Sequence, residues 1–112
     1  MKKQYNQLPQ VAFSILLTLG IKPRHGYDIM KQVADDSNGK VKLGPGALYA
    51  SIKQLNEQGL IEEVNLETDT RRRYYRISDT GRQVLTAELE YYQNSVELAR
   101  QRQLLTFEVT YA

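Results

Sequence analysis

The chain has 112 residues, 41% of them hydrophobic and 25% charged, and a formal net charge of +2 at neutral pH. That length holds one modest domain with at most an appendage, and the balance of apolar and charged residues excludes a disordered or low-complexity chain. With no cysteine and a single histidine, His25, the chain lacks thiol nucleophiles, disulfides and a set of zinc ligands, and no calcium-loop pattern is present; no metal, cofactor or catalytic site is expected.

The first ten residues, MKKQYNQLPQ, are charged and then polar, and Lys2, Lys3 and Tyr5 read as a frayed end. The apolar run from Val11 to Leu19 is too short to span a bilayer, so a cytoplasmic location without membrane association is expected. Pro9 suits a first helical turn, and Ala12, Phe13, Ile15, Leu16, Leu17 and Leu19 wrap widely around the helix that follows, which is therefore central. Gly20 and Pro23 end it. His25 or Arg24 precedes a second helix, with Tyr27, Met30, Val33 and Ala34 on one stripe and Ser37-Asn38-Gly39 as its stop.

Gly44-Pro45-Gly46 opens a third helix and Gly59 closes it. Leu48, Ile52 and Leu55 fall at i, i+4 and i+7 and form its buried face. The opposite face carries Gly46, Ala50, Lys53, Gln54 and Glu57, with Ala47 and Tyr49 on its margins; small and polar near its start, it suits close approach to another surface. Leu60 to Leu66 and Arg72 to Ile77 then read as two strands joined by Glu67-Thr68-Asp69-Thr70. Tyr75 and Ile77 alternate inward, leaving Arg72, Tyr74 and Arg76 outward.

Ser78 is a good N-cap for a last helix that has no proline and, after Gly81, no glycine as far as Leu105. Some 25 residues long, it would reach roughly 38 Å and overshoot a domain about 30 Å across. Leu85, Leu89, Tyr92, Val96 and Ala99 recur at alternating spacings of four and three, the pattern of a helix-pairing seam, so a second copy is the expected partner. The tail from Thr106 to Ala112 carries no readable signal.

Charge is distributed unevenly. Residues 1–44 carry seven Lys or Arg against three Asp or Glu, whereas the middle and last thirds are each one charge negative. Within the middle third, four of the five basic residues are Arg71, Arg72, Arg73 and Arg76. Three helices followed by a two-stranded hairpin is the order of a winged helix-turn-helix, which lays its third helix in the DNA major groove and its hairpin on the flanking backbone. The expected class is thus α+β, mostly α: a DNA-binding unit over 1–78 and a dimerisation helix with its tail over 79–112. The geometry of the third helix offers Ala47, Ala50, Lys53 and Gln54 to bases or phosphates, and the hairpin offers Arg71, Arg72 and Arg73 to phosphate oxygens. Glu67 and Asp69 at the hairpin tip would repel phosphate. Two competing readings are an interaction module gripping an acidic protein, and a small-molecule-binding dimer without DNA.

Four stretches in register resemble the PadR-type transcriptional regulators: His25-Gly26-Tyr27-Asp28-Ile29, Gly46-Ala47-Leu48-Tyr49, Leu55-Asn56-Glu57-Gln58-Gly59-Leu60-Ile61, and the segment from Arg71 to Gly81. The resemblance covers roughly Leu8 to Val96. It implies a homodimeric repressor on a pseudo-palindromic operator, with DNA contacts at Tyr49, Lys53, Arg71, Arg72 and Arg73 and a dimer made by the last helix against the partner's first helix. The short length and single terminal helix are similar to the small subgroup that includes multidrug-sensing repressors. In that subgroup a tryptophan on the terminal helix stacks planar drugs; Tyr92 holds the matching place here. Phe13, Tyr92 and Val96 are thereby implied as the lining for a small aromatic effector.

Overall fold

The computed structural model describes residues 7–105; Lys2, Lys3 and Tyr5 and the tail from Thr106 lie outside the described residues. The expected helices form as α1 (Gln10–Thr18), α2 (Gly26–Asp36), α3 (Pro45–Glu57) and α4 (Asp79–Gln101). Three strands accompany them, β1 (Arg24–His25), β2 (Ile61–Leu66) and β3 (Asp69–Ile77), in one antiparallel sheet of order β1-β3-β2. The two-residue β1 is absent from the sequence reading because it has no pattern of its own. It exists by pairing Arg24 with Tyr75 and His25 with Tyr74, about fifty residues away.

Helix α1 is central as expected, with Ile15, Leu16 and Leu19 all but fully buried. Arg24 ties its end to α2: Nε donates to the Thr18 carbonyl at 2.6 Å and Nη1 pairs with the Asp28 carboxylate at 3.1 Å. Helix α2 buries Gly26, Ile29 and Val33. Tyr27 does not share that stripe: two residues before Ile29, it points about 200° around the helix from it and is 64% exposed. Helix α3 buries Leu48, Ile52 and Leu55, as its spacing requires.

The hairpin differs from expectation in its turn. β3 begins at Asp69, so only Glu67 and Thr68 connect the strands. The register then slips: between the pairs Leu66 with Asp69 and Val64 with Tyr74, Asn65 of β2 stands opposite Thr70, Arg71, Arg72 and Arg73 of β3. The arginine run is thus a bulge, which bends the strand and re-aims the side chains it carries.

Leu60 is the joint of the domain. Its N–H donates to the Leu55 carbonyl at 2.9 Å, closing α3 through Gly59 at φ +75°, and its own carbonyl accepts the Ser78 N–H at 3.0 Å. Ser78 caps α4 as expected, its Oγ accepting the Gly81 N–H at 2.9 Å while donating to the Gly59 carbonyl at 2.6 Å. Helix α4 has 23 residues rather than 25. It ends early because Gln103 takes a left-handed conformation, φ +62°, and the Leu104 N–H folds back to the Ala99 carbonyl at 2.8 Å; the stop needs no glycine. Leu85 joins the protomer's own core, and so does a carboxylate: Glu88, 1% exposed, accepts the Leu8 N–H at 3.3 Å. Among the described residues, no helix is long and apolar enough to cross a membrane.

Candidate nucleic-acid interface

Gly44, extended, precedes Pro45 in the first turn of α3, and an added Cβ at Gly44 or Gly46 would meet nothing within 4 Å. The helix therefore opens on a bare backbone ridge. Ala47, Ala50, Lys53 and Gln54 all lie exposed on this ridge, in one line, as the helical spacing predicts. Lys53 Nζ is paired with Glu57 at 3.3 Å, but both ends are largely in water, so this pair offers little resistance to a competing anion. Tyr49, half exposed, leans from α3 over the start of α2. A Cβ on Gly26 would strike its ring at Cζ and its hydroxyl, so glycine at this position makes room for the tyrosine.

The hairpin rises beside this ridge. Arg71, Arg72 and Arg73 are exposed, as expected for a wing, but they are not equivalent. Arg73 lies 3.8 Å from the Glu63 carboxylate across the strands, and Arg76 pairs with Glu62 at 2.8 Å. Arg72 is turned back toward α2, its Nη1 2.8 Å from His25 Nε2 and its Nε 3.6 Å from Asp69 Oδ2. Asp69 does not project toward solvent as a phosphate-repelling tip. Its Oδ2 accepts the Tyr74 hydroxyl at 3.0 Å and its Oδ1 accepts the Arg71 N–H at 3.3 Å. Burial alone would raise its carboxyl pKa, but these hydrogen bonds and the Arg72 and Arg71 charges outweigh it and hold the group below 3.8. The Tyr74 hydroxyl moves up from 10.0, through burial and then its bond to the Asp69 carboxylate.

Between wing and helices lies a groove of about 560 Å³ lined by His25, Gly26, Tyr27, Tyr49, Arg72 and Tyr75 among others. Burial raises the pKa of Tyr75 at its floor, aided by the Glu63 charge and opposed by Arg73. Of the residues lining the groove the sequence reading offers Tyr49, Arg72 and Arg73 as contacts. The signal for the rest is His25 with Asp28 three residues on, the spacing of a helix cap and its N3 partner.

The far half of α4 presents a second surface. Phe13 and Tyr92 meet edge to face with centroids 5.3 Å apart, and the Tyr92 hydroxyl accepts Gln7 Nε2 at 2.9 Å. Leu89, Tyr92 and Val96 line an open trough of about 760 Å³ together with polar side chains from Glu90 to Arg100. Leu89, Tyr91, Val96 and Leu98 are each 38–49% exposed, and Ala99 is half-buried. Leu85, the first residue of the expected seam, is by contrast consumed by the core of its own protomer.

A bare-backed third helix flanked by an arginine-bearing hairpin, on a base of three helices, defines a winged helix-turn-helix protein of the transcription-regulator class. The family model described as transcriptional regulator PadR-like family matches residues 15–87. An uncharacterised protein of Lysinibacillus sphaericus is 30% identical over 76 residues, 65% of this chain and 70% of that one. A transcriptional regulator from Clostridium thermocellum superposes with a TM-score of 0.68 at 25% identity, over 81% of this chain and 87% of the other. A PadR family transcription regulator from Clostridium difficile R20291 shares the fold with a TM-score of 0.71 at 21% identity, over 85% of this chain and 99% of the other. The chain belongs to the PadR-like family: it is a DNA-binding transcriptional regulator, not an enzyme.

Proposed function

We propose that the chain works as a homodimeric, ligand-responsive repressor in the cytoplasm, with residues 1–78 as the DNA-binding unit and 79–112 as the dimerisation element. The two copies of α3 would lie about one DNA turn, or roughly 34 Å, apart on a pseudo-palindromic operator. Ala47, Tyr49, Ala50, Lys53 and Gln54 read the major groove, and the wing that carries Arg71, Arg72 and Arg73 lies along the flanking backbone. The observation that carries this reading is the shared exposure of the α3 ridge and the arginine bulge beside one groove.

Dimerisation rests on the apolar stripe that α4 leaves exposed at Leu89 and Val96 and half-buried at Tyr92 and Ala99, which continues from Leu85 in the core. A small aromatic effector would enter the trough beside Phe13, Tyr92 and Val96, where Tyr92 supplies an aromatic face. Such a ligand regulates only by favouring one spacing of the two reading helices over another.

The test is binding to a random-sequence duplex at low salt, followed by titration with salt. Arg71, Arg72 and Arg73 changed together to alanine should weaken binding to every sequence and reduce the slope of log K against log salt by about 0.9 for each phosphate no longer neutralised. An unchanged slope overturns the assignment of the wing, and binding to acidic proteins but not to duplex would favour the interaction-module reading.

A further inference from the structure

Arg72 and His25 present a conflict of hydrogen-bond roles. His25 is the residue before α2, and its Nδ1 faces the Asp28 N–H at 3.3 Å, as a helix cap would. Its Nε2 faces Arg72 Nη1 at 2.8 Å. Both neighbours can only donate, because a backbone N–H and a guanidinium have no acceptor. A neutral imidazole has one acceptor nitrogen, so it can serve one of them and not both. The arginine contact is shorter and charge-assisted, whereas 3.3 Å lies at the long limit for an amide donor. If Nε2 accepts from Arg72, the ring carries its proton on Nδ1, and the Asp28 N–H gives up the Nδ1 acceptor that otherwise caps α2.

We infer that Arg72 is a strap rather than a phosphate contact: it joins the bulge of the wing to His25 at the start of α2, and His25 is a positioning residue for DNA binding. The wing needs such a strap. β1 supports β3 only at Tyr74 and Tyr75, and the strand beyond them is the slipped segment that carries the arginines. Besides the Arg71 N–H on Asp69 and the exposed pair of Arg73 with Glu63, three contacts tie that segment toward α2: Arg72 to His25, Arg72 Nε to Asp69, and Asp69 to the Tyr74 hydroxyl. Tyr74 in turn packs edge to face on the His25 ring with centroids 5.3 Å apart. The four side chains close a circuit that fixes the angle of the wing to α2, while Arg71 and Arg73 on either side of Arg72 stay available to phosphates.

The inference rests on the proposed contact between wing and DNA, and single variants separate the two. On a random duplex, Arg71→Ala and Arg73→Ala should each lower the salt slope by about 0.9. Arg72→Ala should weaken binding about ten-fold with the slope unchanged. Arg72→Lys decides the matter, because lysine keeps the charge a phosphate needs but lacks the planar fork whose Nη1 and Nε reach His25 and Asp69 separately; it should bind as weakly as Arg72→Ala. His25→Asn, which supplies a good cap but does not reach Arg72, should melt at or above the wild-type temperature yet lose about ten-fold in affinity. A role in the fold alone would move both quantities the same way. Because His25 is the one histidine of the chain, two-bond proton–nitrogen NMR reads its tautomer directly, and Nδ1–H is expected in the free protein. An Nε2–H ring, full affinity in Arg72→Lys or in His25→Asn, or a slope that falls in Arg72→Ala as it does in Arg71→Ala overturns the strap. Unchanged slopes in both Arg71→Ala and Arg73→Ala overturn instead the wing reading beneath it, and the tautomer still decides the strap.

Discussion

Gly81 sits in the first turn of α4, where the helix crosses the joint at Leu60, and replacing it by alanine tests how tightly that crossing is set. The added Cβ would lie 2.9 Å from both Ile77 Cγ1 and the Leu60 carbonyl carbon, and nearer still to the Leu60 oxygen. Ordinary contact begins near 3.4 Å, and the obstacle is mostly backbone, so α4 must retreat by about 1 Å or more. Overpacking of this kind costs about 1–3 kcal/mol. The retreat also strains the Ser78 bonds to Gly81, Gly59 and Leu60, whose loss adds about 1 kcal/mol or more. Against this, alanine's better helix propensity returns at most about 1 kcal/mol. A net loss of about 2–3 kcal/mol corresponds to a fall in Tm of about 10 °C for a domain of this size. Thermal melting followed by circular dichroism measures it, with Gly46→Ala, which meets nothing within 4 Å, as the control expected to melt no lower than wild type. A Gly81→Ala protein melting within about 2 °C of wild type would refute the tight crossing and the role given to Leu60.

Two further outcomes follow from the surfaces and charges described. Glutamates at both Leu89 and Val96, each about 40% exposed in the protomer, should leave the fold intact and give the light-scattering mass of one chain; two chains would refute the seam. Asp69, with its carboxyl pKa lowered by its bonds to Tyr74 and Arg71, stabilises the wing above its unfolded value of 3.8 and loses that contribution as pH falls through the lower folded value. The Arg71 amide should therefore exchange faster below about pH 4, and Asp69→Asn should remove that pH dependence; exchange that stays flat in the wild type would contradict the Asp69 contact. Tyr74 works in the opposite range, its raised pKa withdrawing support as pH rises beyond 10.0.

What the sequence makes legible is local. Leu48, Ile52 and Leu55 follow from helical period, Ser78 from cap chemistry, and the exposed ridge of α3 from the same wheel read on its other side. The misreadings are non-local. β1 owes its existence to partners on β3, and Tyr27, apolar enough to suggest the buried stripe, yields that place to Ile29 and Val33. A heptad-like spacing cannot tell that Leu85 enters its own protomer's core while Leu89 and Val96 stay about 40% exposed, because that depends on what packs beside each turn of α4. Asp69 reads as a repelling tip because its charge is visible in the sequence and its partners, Tyr74 and Arg72, are not. Glu88 gives no signal, since the backbone N–H of Leu8 that its buried carboxylate receives lies eighty residues away in the chain.

The peptide of Leu60 fastens the end of α3 on one side and the cap of α4 on the other, with the wing leaving directly after it. Torque applied to the long helix thus arrives at α3 through covalent bonds, two backbone hydrogen bonds and the single hydroxyl of Ser78, which joins Gly59 to Gly81. Transmission built this way tolerates exchange of one apolar residue for another in the interior. It is intolerant of length: a single residue inserted between Gly59 and Ile61 would let the two rods turn independently.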